Sequence, residues 1–241
     1  MLWGKNLCNN GVNRHFLIWP CLSLLLVSLL AQFTSLDLQI AGWFYDPHQH
    51  TWRAAESWWA NQLVHDWGRN LIALIFVGAT GMFLLSLVFR THLRRWRAVA
   101  AYLALCIALT TSLVGLGKKL TNVDCPSDLQ QFNGQRPYVH LFSDKPDHLA
   151  RGRCFPGGHS SGAFSLFALY FIFLIYQPRH AWKVLLGVIA LGLIYSLAQW
   201  ARGAHFVSHD LWSAAIGWFI SLGLYRLMLR RHSQPAAQRA S

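Results

Sequence analysis

Charge is scarce in this chain. Only 12% of its 241 residues are Asp, Glu, Lys or Arg, about half the share of an ordinary soluble domain. Acid is scarcer still, with nine Asp and Glu against 21 Lys and Arg. No internal repeat, low-complexity tract or separate soluble domain breaks the pattern, which excludes solenoids and appended modules. No small-residue cleavage pattern follows the first apolar run, and that run is too long for a signal h-region. A retained anchor is expected there. A His-Glu-x-x-His stretch is also missing, so His205 and His209, spaced i, i+4, lack the glutamate of that zinc-binding motif. No metal and no cofactor are expected.

What the chain has is long apolar runs, with 54% of its residues hydrophobic. A bilayer core needs about 20 apolar residues per spanning helix. Six stretches qualify: roughly 16–36, 71–89, 99–116, 162–176, 182–200 and 211–229. The fourth is short and polar at its start, so its beginning is expected at headgroup level. The expected fold is all-α: a six-transmembrane-helix bundle with an interfacial outer loop. Residues 1–231 form a single membrane domain, and 232–241 a disordered cytoplasmic tail.

The net charge of +12 is distributed in one direction. With a cytoplasmic N-terminus, the inside segments are 1–15, 90–98, 177–183 and 226–241. They hold twelve of the 21 cations and none of the nine acids. Such a bias sets orientation in membrane proteins and suits anionic leaflet lipids, so nucleic acid is not expected as a partner. Both termini are then cytoplasmic, in a bacterial inner membrane. The outer segment 37–68 carries Trp43, Trp52, Trp58, Trp59 and Trp67. Residues 54–67 are expected as a short surface helix, with Trp58, Trp59, Leu63 and Trp67 on one broad face.

Three polar islands stand at the ends of apolar runs: Lys118-Lys119, Pro156-Gly157-Gly158-His159-Ser160 and Arg202-Gly203-Ala204-His205. With six spans, all three fall on the outer side and can share a pocket. Titratable groups persisting at such places mark function by default. Lysine supplies a point charge and arginine a bidentate fork. Gly157 and Gly158 before a helix allow backbone amides to approach an anion. A histidine can attack phosphorus or protonate a leaving oxygen. Taken singly, each has a plainer role as a snorkelling lysine, a polar histidine or a glycine turn. Their joint occurrence points to phosphate chemistry.

These residues resemble the type 2 phosphatidic acid phosphatase superfamily of membrane phosphatases. Its signature is Lys, six residues, Arg-Pro; then Pro-Ser-Gly-His; then Arg, five residues, His, three residues, Asp. The resemblance runs from Lys118 to about Trp218 and is strongest at Phe-Pro-Gly-Gly-His-Ser-Ser-Gly, 155–162. It implies a six-helix membrane fold and a metal-free mechanism. By that likeness His205 attacks phosphorus to give a phosphohistidine and His159 protonates the leaving group. Lys118 neutralises the phosphate, and amides of Gly157, Gly158, His159 and Ser160 bind its oxygens.

This sequence departs from the signature at several positions. Cys125-Pro126 stands for Arg-Pro, Gly157 for the serine and Gln199 for the third-motif arginine; His209 takes the aspartate's place, with Asp210 next. Arg202 is expected to supply the missing guanidinium, with Arg136, Arg151 and Arg153 as alternative donors. Asp210 or His209 must orient His205. A carboxylate would fix the tautomer, which favours Asp210, but helical neighbours point about 100° apart, so the backbone there must be irregular.

Of the five cysteines, Cys8 is cytoplasmic on this reading, and Cys21 and Cys106 lie within spans. Cys125 and Cys154 share the outer loop, where a periplasm permits a disulfide, and closing that loop constrains the unfolded chain by about 3–4 kcal/mol. The expected activity is hydrolysis of a lipid phosphate or pyrophosphate at the outer leaflet. Candidates are polyprenyl pyrophosphate, phosphatidylglycerol phosphate, phosphatidic acid and lipid A phosphates. The alternatives are a lipid phosphotransferase using the same intermediate, and a non-catalytic protein that binds or transports an anionic headgroup. Lipid and bilayer are the expected partners.

Overall fold

The computed structural model describes residues 10–229. Lys5, Cys8, Arg230, Arg231, Arg239 and the expected tail 232–241 lie outside the described residues. Backbone polar groups in hydrocarbon must be satisfied within their own segment, and the apolar runs accordingly form helices. Six helices among the described residues are long and apolar enough to cross a membrane: Arg14–Phe33, Trp59–Val88, Arg90–Leu120, Gly158–Tyr176, Pro178–Ala201 and Val207–Leu229.

Within them, α1 is Asn10–Phe33, α3 Gly68–Val88, α5 Arg97–Leu120, α6 Gly158–Ser165, α7 Phe167–Tyr176, α8 Pro178–Ala201 and α9 Val207–Leu224. The short helices α2, Leu36–Gly42, and α4, Arg90–Leu93, flank spans, and a hairpin of β1, Tyr45–Asp46, and β2, Thr51–Trp52, follows α2.

Two spans start earlier than their apolar runs. The second begins at Trp59, because a π-helical stretch Trp59–Trp67 runs directly into α3. Asp66 and Arg69 end the apolar run but not the helix. Residues 54–67 are therefore not a separate surface helix. The expected aromatic face is nonetheless there: Trp58, Trp59, Leu63 and Trp67 are exposed while Ala60 and Val64 are buried. The third span gains α4 and a 3-10 turn, Arg94–Trp96, ahead of α5.

The fourth span is the axis of the bundle. α6 packs against α5, α8 and α9, and α7 against α8. Small residues let helices approach closely in a membrane. Phe164 uses such space, since a Cβ on Gly192 would overlap its ring and one on Gly217 would lie 2.7 Å from its carbonyl oxygen. By contrast α1 is peripheral, packing on α9 with most of its side chains exposed.

Because successive spans alternate in direction, the end of α5, the start of α6, the end of α8 and the start of α9 gather at one end. A cap of Tyr45, Leu129, Phe132 and Phe206 covers it. The Cys125–Cys154 disulfide is formed there, with Cα atoms 5.2 Å apart. It ties the loop after α5 to the Pro156 turn before α6.

Candidate active site

Lys118 lies in the last turn of α5, with Nζ 3.4 Å from His205 Nε2. Its ammonium also lies over the start of α6, since a Cβ on Gly158 would sit 3.1 Å from Nζ. The first-turn amides of α6 have no intrahelical acceptor and carry the positive end of the helix dipole. Lysine, amides and His205 Nε2 thus surround one small space.

His205 sits in the turn between α8 and α9. Gly203 makes that turn with φ +68°, and a side chain there would overlap the Trp52 indole. His205 is buried, and its Nδ1 is 2.9 Å from Asp210 Oδ1. A carboxylate only accepts, so Nδ1–H donates and Nε2 faces the Lys118 side. Asp210 is itself only 1% exposed. Ser160 Oγ donates to Oδ1 at 2.5 Å and Trp200 Nε1 to Oδ2 at 2.7 Å. The irregular backbone required of an Asp210 partnership is a helix boundary. α9 starts at Val207, after an extended Phe206, so His205 is not on the helix that carries Asp210.

His209 serves a different purpose. Its buried ring packs edge-on against Phe155 and Phe206, 6.3 Å from the His205 ring centre, and its carbonyl accepts Gly157 N–H at 2.9 Å. It forms part of the wall, and Asp210 alone of the two reaches His205. Gly157 lies where the signature has serine, and a Cβ there would overlap Asp210 Oδ1. Glycine in place of the signature's serine therefore leaves Asp210 its room. Ser160, expected at the phosphate, commits its hydroxyl to Asp210, which leaves its amide for an anion.

His159 stands in the first turn of α6. Its Nε2 lies 3.2 Å from the His65 carbonyl oxygen, and its ring stacks on His65 at 3.8 Å. His65 Nδ1 is 3.0 Å from Asp66 Oδ1, which Arg69 Nη2 approaches to 3.9 Å. Sequence reasoning missed this group. Its signal was His-Asp-x-x-Arg at 65–69, polar residues inside the tryptophan-rich stretch expected as a short surface helix.

The four arginines divide. Arg202 Nη1 is 3.4 Å from Gln199 Oε1. Burial lowers its guanidinium pKa while the Asp66 carboxylate opposes that shift. Arg136 pairs with Asp124 and Asp128, and the Asp124 hydrogen bond raises its pKa. Arg151 Nη2 donates to the Lys119 carbonyl at 3.0 Å, and Arg153 is exposed. Arg136 and Arg151 brace the loop.

From His159 a cavity of about 580 Å³ runs between α3 and α5. Arg69, Gly158 and His159 line its polar part, and Ile72, Phe76 and Ile107 its apolar part.

Fold and site together define a multi-pass membrane protein with a cationic pocket at one end of its bundle, holding a histidine oriented by a buried carboxylate. The chain belongs to the PAP2 superfamily, whose family model matches residues 99–233. That range contains Lys118, His159, His205 and Asp210 and leaves out His65, Asp66 and Arg69. The superfamily's members are phosphatases, so membership supports phosphatase activity. One solved structure with a similar fold is described as the crystal structure of the first transmembrane PAP2 type phosphatidylglycerolphosphate phosphatase, from Bacillus subtilis. It shares 17% identity at a TM-score of 0.50, covering 87% of this chain and 94% of that one. No curated protein is matched.

Proposed function

We propose that the protein hydrolyses a lipid phosphate or pyrophosphate through a phosphohistidine on His205. The observation that carries this reading is the Asp210–His205–Lys118 line, in which Nδ1 is held by a carboxylate and Nε2 faces an ammonium. In the reaction His205 Nε2 attacks phosphorus, forming the N–P bond as the P–O bond to the lipid breaks. Asp210 stabilises the imidazole as it gains positive charge. Lys118 and the first-turn amides of α6 offset the charge on the phosphoryl oxygens. The lipid oxygen takes the bond's electron pair, and His159, at the mouth of the apolar cavity, protonates it. With Nε2–H held by the His65 carbonyl, Nδ1 is the nitrogen that gives up this proton. Water then gives a proton to His159 Nδ1 as its oxygen attacks phosphorus, the N–P bond breaks with its electron pair returning to His205, and free phosphate leaves. The cavity between α3 and α5 receives the hydrocarbon, which puts the leaving group on the His159 side. The positive charge gathered at the opposite end of the bundle supports a site on the periplasmic side of an inner membrane.

The test is phosphate release by purified protein in detergent with excess chelator, over a panel of lipid phosphates and pyrophosphates. Release is expected from wild type and absent from His205→Ala. Release that survives in the variant would overturn the nucleophile assignment. Release that requires an added lipid acceptor would make the protein a phosphotransferase.

A further inference from the structure

The cationic groups of this site are not all at the phosphorus that His205 attacks. Lys118 is there. Arg69 is instead at the mouth of the α3–α5 cavity, which it lines with His159, and among the described residues it is the cavity's only Lys or Arg. We propose that Arg69, placed by Asp66 and His65, forms a second anion subsite on the leaving-group side and selects lipid diphosphates over lipid monophosphates. This proposal rests on the reading of His205 as nucleophile and His159 as the leaving-group acid.

The leaving group differs between the two substrate classes. In a monophosphate the oxygen that leaves is bonded directly to the hydrocarbon, so nothing anionic lies beyond His159. In a diphosphate His205 attacks the terminal phosphorus. The N–P bond forms, the bond from that phosphorus to the bridging oxygen breaks, and the electron pair stays on the bridging oxygen. What leaves is the lipid monophosphate, whose phosphate must lie between His159 and the tail. Arg69 lines the cavity together with His159, one and two turns before Ile72 and Phe76 on the same helix.

The Arg69 guanidinium is open to an anion. The carboxylate beside it, Asp66, is held by His65 at 3.0 Å and by Arg69 only at a long 3.9 Å. The Arg69 side chain is 63% exposed, so most of its donors stay available, and guanidinium is suited to bidentate phosphate contacts. The subsite also lies outside residues 99–233, which match the family model. It belongs to the second span.

Farnesyl diphosphate and farnesyl monophosphate share a tail and differ by one phosphate, so they isolate the subsite. Arg69→Ala is expected to lower kcat/KM for the diphosphate by about tenfold or more, as loss of a charged hydrogen bond would. The monophosphate value should change less than about twofold, and Arg69→Lys should fall between. Equal losses on both substrates, or no loss on either, would overturn the subsite. Binding keeps this separate from the nucleophile assignment. In His205→Ala protein, the diphosphate should raise the thermal midpoint more than the monophosphate, and adding Arg69→Ala should erase the difference. Equal shifts with Arg69 present would overturn the subsite whatever the turnover assay shows. Persistent turnover in His205→Ala would overturn the catalytic reading alone.

Discussion

Asp210 is the residue on which the centre's geometry depends. Its two oxygens take three donors from three elements: His205 in the turn, Ser160 on α6 and Trp200 on α8. A buried carboxylate with that many partners cannot shift without orphaning one of them, and an orphaned buried donor costs about 1–3 kcal/mol. Gly157 gives it room, because any Cβ there would overlap Oδ1. Gly157→Ala is therefore expected to displace Asp210 and to lower kcat at least tenfold, an overpacking cost of about 1–3 kcal/mol falling on the reacting histidine. Trp200→Phe, which keeps the ring and drops one donor, should lower kcat less. Steady-state kinetics of both variants check this, and a Gly157→Ala enzyme with wild-type kcat would refute the coupling. That Lys118, His159 and His205 gather at one end of the bundle was legible in the sequence, because each stands at an end of an apolar run. The choice between Asp210 and His209 was not, because it depends on where α9 begins. Only the position of Val207 as the first helical residue frees His205 from the angular constraint between helical neighbours.

At the level of elements, the start of α9 has no cap of its own, since Phe206 offers no side-chain acceptor. Asp37 of α2 supplies one from a distance. Its Oδ1 accepts Ser208 N–H at 3.1 Å and its Oδ2 the Ser208 hydroxyl, which anchors the turn of helix that carries Asp210. Burial pushes the Asp37 pKa up, and the Ser208 donors reverse this only in part. A carboxyl whose folded pKa lies above its unfolded value binds its proton more tightly when folded. Its contribution to stability is complete below the unfolded pKa and is lost as pH rises through the folded one. The wild-type thermal midpoint should therefore carry a decline from about pH 4 upward that is missing in Asp37→Asn, whose amide oxygen still accepts Ser208 N–H. Parallel midpoint–pH profiles for the two proteins would remove Asp37 from this role. None of this was legible in the sequence, where Asp37 appeared only as one of the outside acids. A contact between residues 171 positions apart has no local signature. The disulfide was legible, because Cys125 and Cys154 were the two cysteines expected in the same polar loop.

Over the whole molecule, the six spans were legible because hydrocarbon admits few alternatives to a helix. The ends of the spans were less so, because hydropathy fades before helices do. Asp66 and Arg69 interrupt the apolar run of the second span, yet the helix continues back to Trp59, and the residues hidden in that extension are those beside His159. Charge then bears on the orientation. Among the described residues Arg90, Arg94, Arg95, Arg97, Arg179, Lys183 and Arg226 lie at the bundle end opposite the site, in segments with no acid. The acids Asp37, Asp66, Asp124 and Asp210 lie at the site end. If this asymmetry orients the chain as it does other membrane proteins, the site faces away from the cytoplasm. Single cysteines report this directly when Cys8, Cys21 and Cys106 are replaced by serine and the Cys125–Cys154 disulfide is kept. His148→Cys, at an exposed position of the site-end loop, should react with a membrane-impermeant maleimide in intact spheroplasts. Gln177→Cys, exposed in the turn between α7 and α8, should react only after permeabilisation. The reverse pattern would put the site in the cytoplasm and its substrate in the inner leaflet.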